Sequence, residues 1–342
     1  MKKHLNTVYV TTPGAYLSLE GEAILVKTDG EVKGRLPMHM LESIVCFGHV
    51  GISPPLMFAA CERGICIAWF TERGRFQARV GGPVSGNILL RKAQYRSSEE
   101  PSCKAQIARS FVIGKIANCR SILQRNVRDH PEKAGSDAKE AVDALSGSLR
   151  CASECLDVDT LRGIEGMAAN YYYGVFDGMI HVDEDSLRFR NRSRRPPLDR
   201  VNALLSFIYT MLVHDCVSAL EGVGLDPQAG YLHADRPGRP SLALDLMEEF
   251  RSFIADRLVL SLINRRQVTP SGFTVTETGA VLMDDDTRKT VLVGYQERKN
   301  EELRHPFLEE QVTVGMLPHL QARLLARHLR GDLDAYPPFF VK

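Results

Sequence analysis

Residues 104–125 read KAQIARSFVIGKIANCRSILQR, and this stretch decides the kind of fold. Ile107, Phe111, Ile116 and Leu123 recur at roughly helical spacing, which predicts a long amphipathic helix. Toward the N-terminus the pattern changes near Asn87. NTVYVTT (6–12), AYLSLEGEAILVKTDGEV (15–32) and ESIVCFG (42–48) are short, β-branched and aromatic, with turns at Pro13-Gly14 and Asp29-Gly30. Within them SPPLMFAACERG (53–64) reads as one short helix, capped by Ser53, opened by Pro54 and stopped by Gly64. ICIAWF (65–70) predicts a buried strand, and TERGRF (71–76) a turn into another.

Toward the C-terminus, helical patterns continue over 136–156, 158–178, 199–222 and 241–265. GFTVTETGAVLMDDDTRKTVLVGYQER (272–298) reads as a hairpin-like excursion with an acidic turn at Asp284–Asp286. VGMLPHLQARLLARHLRG (314–331) predicts a last helix stopped by Gly331, and AYPPFFVK (335–342) an irregular tail. The expected class is α+β. A small N-terminal β-sandwich-like domain with an embedded helix spans 1–85, a linker 86–104 carries RSSEEPS, and a large all-helical domain spans 105–342.

Composition narrows the function classes. The 342 residues carry 43 basic and 42 acidic side chains, a net charge of +1, so any nucleic-acid surface must arise by segregation of charge. No apolar run approaches the ~20 residues of a membrane span, and MKKHLNTVYVTTPG has no apolar secretory core. The eight cysteines include no C-x-x-C pair, and free thiols in a reducing cytoplasm are expected.

Three segments carry candidate chemistry. In LRGIEGMAANYYYGVF (161–176), Glu165 stands among Gly163, Gly166, Ala168 and Ala169. Its ordinary reading is a solvated helix glutamate, although small neighbours permit close packing on another element. In AGYLHADRPGRPSLALDLMEEFRSF (229–253), Asp245 and Glu248 share a helix face away from the apolar stripe Leu246, Met247, Phe250, Phe253, Ile254 and Leu258. The ordinary reading is a solvated acidic face beside a surface His233. The functional one is a carboxylate cluster that meets His233 and Glu165 around a divalent cation, Mg²⁺ or Mn²⁺ from the oxygen-rich donors. In the third segment, residues 188–200 hold six arginines (Arg188, Arg190, Arg192, Arg194, Arg195, Arg200) against one acid, Asp199. Guanidinium groups in an extended run fork onto phosphates, and Phe189 is expected against a sugar or base. Arg236 and Arg239 add positive charge beside His233.

GIEGMAANYYYGVF, RRPPLDRVNALLSFIYT and GYLHADRPGRPSLALDLMEEFR, in this order, resemble the CRISPR-associated integrases, metal-dependent DNA endonucleases that insert new spacers into CRISPR arrays. The resemblance covers essentially the whole chain. It implies that Glu165, His233 and Glu248 bind the metal, with Asp245 as a further acid of the site. Glu249 rivals Glu248, and the D-x-x-E spacing favours Glu248. It implies transesterification by the 3′-hydroxyl of a short DNA at the edge of a repeat. The arginines at 188, 190, 192, 194, 195, 236 and 239 are then expected on DNA. It also implies a homodimer formed through the β domain and a small ferredoxin-like partner subunit. The LHADRPGRPSLALDLMEEFR form resembles versions accompanying type I systems, subtype I-C. Two other readings use the same residues: a nuclease of branched or repair DNA, and a metal-free DNA-binding scaffold. The intact set Glu165, His233, Asp245 and Glu248 argues against the scaffold.

Overall fold

The computed structural model describes residues 6–72, 74–82 and 88–341. The N-terminal MKKHL and the composition change at Asn87 lie outside them. In the N-terminal unit the elements are β1 (Asn6–Val10), β2 (Tyr16–Glu20), β3 (Ala23–Thr28), β4 (Glu31–Pro37), β5 (Leu41–Phe47), β6 (Gly51–Ile52), α1 (Pro54–Glu62), β7 (Cys66–Phe70) and β8 (Phe76–Val80). They form two four-stranded sheets, ordered β1-β5-β7-β8 and β4-β3-β2-β6. The first pairs β1, β5 and β7 in parallel and closes with antiparallel β8. One core takes Leu17 and Ile24 from one sheet, Ile44, Cys46 and Ile67 from the other, and Leu56 and Ala60 from α1. Burial pushes the Cys46 thiol up to about 12. The sandwich-like fold with an embedded helix is therefore present. Ser53 caps α1 by accepting from the Leu56 N–H at 3.4 Å, and Gly64 ends it at φ +67°.

The helical unit contains α2 (Ile88–Glu99), α3 (Pro101–Asp129), α4 (Pro131–Glu154), α5 (Val158–Gly174), α6 (Arg200–Val223), α7 (Ser241–Glu248) and α8 (Arg257–Asn264). There follow β9 (Phe273–Val275), β10 (Val281–Met283), α9 (Asp285–Asn300), β11 (Glu302–Arg304), β12 (Gln311–Thr313) and α10 (Leu317–Leu329). Residues 283–297, most of α9, pack with the N-terminal unit, where Arg288 donates to the Glu72 carbonyl and lies 5.8 Å over the Phe47 ring. Two small hairpins, β9–β10 and β11–β12, interrupt a domain expected to be all-helical.

Three expectations need correction. The stretch read as a linker, 86–104, is helical from Ile88. Gln94 of α2 is wholly buried and donates to the carbonyls of Asp226 (2.7 Å) and Ala229 (3.1 Å), which anchors the helix. Asp284–Asp286 is not a turn: Asp284 accepts from the Thr287 N–H at 2.8 Å and starts α9, where acidic side chains suit the helix dipole. The hairpin turn falls earlier, at Gly279 with φ +77°. The 241–265 helix is broken by a π-helical turn, Arg251–Asp256, between α7 and α8. The tail has no regular elements but is held: Asn118 donates to the Phe339 carbonyl at 2.9 Å and accepts from the Val341 N–H at 2.8 Å.

Ile107, Phe111, Ile116 and Leu123 of α3 are all buried, as their spacing predicts. Helix α6 is long and apolar enough to cross a membrane, and it is mostly buried within the protein, as a core helix is. All eight cysteines are free thiols.

Candidate metal centre and nucleic-acid interface

The centre is assembled from α3, α5, α7 and the loop between α6 and α7. That loop has no periodicity of its own, so its shape comes from its partners. Gln94 holds residues 226–229, and Arg162 of α5 donates to the Leu232 carbonyl at 2.6 Å. Gly230 passes so close to α7 that a Cβ there would stand 2.7 Å from Ser241 Cβ.

Asp245 then fixes the end of the loop. One carboxylate oxygen accepts from the N–H groups of Tyr231 (2.6 Å) and Leu232 (3.0 Å). The other accepts from the His233 N–H (2.9 Å) and lies 2.6 Å from His233 Nδ1. Both oxygens are committed, so Asp245 acts as the orienter of His233. The ring's Nδ1 is pinned, and Nε2 faces Glu248 Oε1 at 4.0 Å.

Glu248 is buried, not on a solvated face. Its Oε1 pairs with Arg251 Nη2 at 3.0 Å and its Oε2 with Lys115 Nζ at 2.7 Å. Burial works to raise this carboxyl, but the Arg251 and Lys115 charges outweigh it and hold it well below the usual range. Glu165 ion-pairs with the same Lys115, so it is not a free surface glutamate. Close packing does not bring it there: a Cβ at Gly163 or Gly166 would meet nothing within 4 Å, and that face of α5 is open. Glu249, the rival ligand, belongs elsewhere. It accepts from the Phe339 N–H (2.7 Å) and Gln321 (2.9 Å) against the tail, and burial raises it to about 8.

The structure thus brings Glu165, His233 and Glu248 to one place, but with the Lys115 ammonium between the two glutamates. Among the described residues, no three His, Cys, Asp or Glu side chains stand together as a finished metal cage. The donor chemistry nonetheless fits a hard divalent cation: two carboxylates, and an imidazole whose second nitrogen is already held. Glu248 Oε2, although ion-paired, lies buried outside hydrogen-bond geometry. Lys115 and Arg251 were not singled out from the sequence.

The arginine segment divides into two groups. Arg190, Arg194, Arg195 and Arg236 are exposed. Arg188 is drawn to Asp177 (3.5 Å) and Asp183 (3.7 Å). Arg192 turns inward to Asn202 and the Ser193 carbonyl. Phe189 is buried on Phe176, with ring centroids 4.9 Å apart, and does not present itself to a base. Arg239 is half-buried. Its guanidinium pKa is lowered first by that burial and then by the charges of Arg236, Arg162 and Arg195, so these cations crowd together. A basic rim therefore stands beside His233.

A helical unit with oxygen and imidazole donors beneath a guanidinium rim is of the class that handles phosphate esters. The chain belongs to the Cas1 family: the family model described as "CRISPR associated protein Cas1" matches residues 8–297. It is 57% identical over 340 residues to "CRISPR-associated endonuclease Cas1 1" of Chlorobaculum tepidum, covering 99% of each chain. It is 55% identical over 347 residues to "CRISPR-associated endonuclease Cas1 2" of Rhodospirillum rubrum, covering 100% of each. Among solved structures, a CAS1 protein from Thermotoga maritima matches with a TM-score of 0.83 at 25% identity, over 97% of this chain and 99% of that one. A casposase bound to integration product shares the fold, with a TM-score of 0.82 at 21% identity, over 97% of this chain and 93% of that one.

Proposed function

We propose that this chain is a metal-dependent DNA endonuclease and integrase that joins short spacer DNA to a CRISPR repeat through 3′-hydroxyl transesterification. The observation that carries the reading is the convergence of Glu165, His233 and Glu248, with His233 pre-oriented by Asp245, beside a rim of exposed arginines. Family membership supports the CRISPR setting. Glu165, His233 and Glu248 would hold Mg²⁺ or Mn²⁺, which when bound would supply Lewis-acid stabilisation of the oxygens and charge at phosphorus. The protein's own part is positional. Asp245 holds the imidazole at Nδ1 and so keeps Nε2 aimed at Glu248. Lys115 and Arg251 keep Glu248 ionised. Arg194, Arg195, Arg236 and Arg239 clamp phosphates. In this reading the N-terminal unit forms a homodimer and a small ferredoxin-like subunit completes the assembly on DNA in the cytoplasm. Support for a larger assembly, though not for the kind of subunit, comes from a fold neighbour described as a "Cas6-RT-Cas1--Cas2 complex".

The test is a strand-transfer assay with a short duplex bearing free 3′-hydroxyls, a plasmid carrying a CRISPR repeat, Mg²⁺ or Mn²⁺, and the partner subunit. Joining at the repeat edge that His233→Ala and Glu165→Ala abolish is the expected result. Cutting without joining moves the reading to a general nuclease. Equal reaction with a chelator present overturns the metal assignment.

A further inference from the structure

Tyr209 lies on α6, buried, between the arginine segment and the catalytic carboxylate. The Arg192 guanidinium lies over its ring at 5.1 Å from the centroid, and the Arg251 guanidinium at 4.8 Å. Both arginines have a buried Nε–H without a hydrogen-bond partner, so the aromatic face supplies part of what holds them. The Tyr209 hydroxyl donates to Asp256 and lies 2.7 Å from the Tyr173 hydroxyl, which fixes the ring plane. Each arginine has a second attachment. Arg251 reaches Glu248 Oε1 at 3.0 Å. Arg192 is tied to Asn202 and to Ser206 of α6 and so pins the backbone from which Arg194 and Arg195 project.

We infer that Tyr209 is a positioning residue that couples the phosphate-binding arginine segment to Glu248, through Arg192 on one side and Arg251 on the other. The inference rests on the proposed DNA-joining function and names a residue that no part of that reading requires. The two guanidiniums meet on the ring itself, so the ring, rather than the hydroxyl, carries the coupling.

The experiment uses the full chain with its partner subunit and Mn²⁺. Duplex affinity is measured by fluorescence anisotropy and the single-turnover joining rate at saturating DNA. Tyr209→Phe keeps the ring and is expected within about twofold of wild type in both. Tyr209→Leu is expected to lose about tenfold in rate, the equivalent of one desolvated cation–π contact, and to bind DNA more weakly. Added to Arg251→Met, Tyr209→Leu should still weaken binding but cost little further rate. Tyr209→Leu at wild-type rate and affinity overturns the coupling, as does a Tyr209→Phe as damaged as Tyr209→Leu. Should Tyr209→Leu not fold, Arg192→Met carries the test: a slower rate at saturating DNA supports the coupling, and a change in affinity alone overturns it. A wild type that neither joins nor cuts overturns the functional reading and this inference together. An active wild type with indifferent variants overturns the inference alone.

Discussion

Asp245→Asn separates an orienter from a ligand. The native carboxylate takes four contacts: the N–H groups of Tyr231, Leu232 and His233, and His233 Nδ1. An amide offers one oxygen in place of two, so about two of these contacts are lost, and its NH₂ faces donors. Each buried donor left without an acceptor costs about 1–3 kcal/mol, so the substitution should cost about 3–5 kcal/mol before any metal is added. At about 2–4 °C per kcal/mol for a unit of this size, the melting temperature should fall by about 10 °C in chelator. The assay is thermal unfolding with and without Mn²⁺, alongside hydrogen exchange at residues 231–233. These amides should lose protection selectively, because Asp245 is their acceptor. A variant that melts like wild type in chelator, keeps those amides protected and loses only Mn²⁺ binding would refute the orienting role and make Asp245 a direct ligand.

Three further outcomes are expected. Arg194→Ala and Arg195→Ala should each reduce the salt slope of DNA binding by about 0.9, one phosphate's worth, in titrations from 50 to 200 mM salt, with the fold intact because both side chains are exposed. Asp256 is buried and its carboxyl is raised to about 6, first by burial. A raised folded pKa favours the protonated form. Its contribution is therefore present below about 4 and is lost as pH rises through about 6, on the order of 3 kcal/mol. Melting curves of Asp256→Asn against wild type should accordingly diverge in the variant's favour between pH 4.5 and 7.5. Gly114→Ala would bring a Cβ to 3.1 Å from both Glu249 Cγ and Pro338 Cβ. A loss of about 1–3 kcal/mol and earlier proteolysis of the 336–341 tail should follow, measured by melting and limited digestion.

The sequence makes the helices legible through apolar spacing and the strand-rich unit through short β-branched runs. It makes the acids legible because Asp245 and Glu248 share one face. It does not show that this face is inside, since a helix buried all round has the pattern of a surface helix until its charges find partners. Lys115 carries a signal that could be read: it lies four residues after Phe111, on the apolar face of α3, where a lysine has no ordinary place. Arg251 follows Glu248 at i+3 and is likewise readable. Gln94 and the loop it holds leave no trace, because the contact spans 132 positions and neither side is periodic. Phe189 looks like a base-stacking residue only because an arginine flanks it on each side. Its neighbours in space, Phe176 and Tyr173, are what decide it.

The charge balance explains how two glutamates stand together beside His233. Two glutamates brought together in a poorly solvated site repel, and one of them would ordinarily take up a proton. Here the Lys115 ammonium pairs with both, and Arg251 adds a second positive charge on Glu248, which holds the Glu248 carboxyl well below its usual range and keeps both side chains in place. A divalent cation entering under the proposed reading has no carboxylate to deprotonate, but it must compete with an ammonium already seated between its ligands. Under that reading the ammonium would lower the cation's affinity while keeping the two glutamates together. Lys115 pairs with Glu165 of α5 as well as with Glu248, whereas Arg251 pairs with Glu248 and lies over the Tyr209 ring. The two cations that look redundant on one carboxylate thus have separable tasks: Lys115 ties Glu248 to Glu165, and Arg251 ties it to the Tyr209 ring.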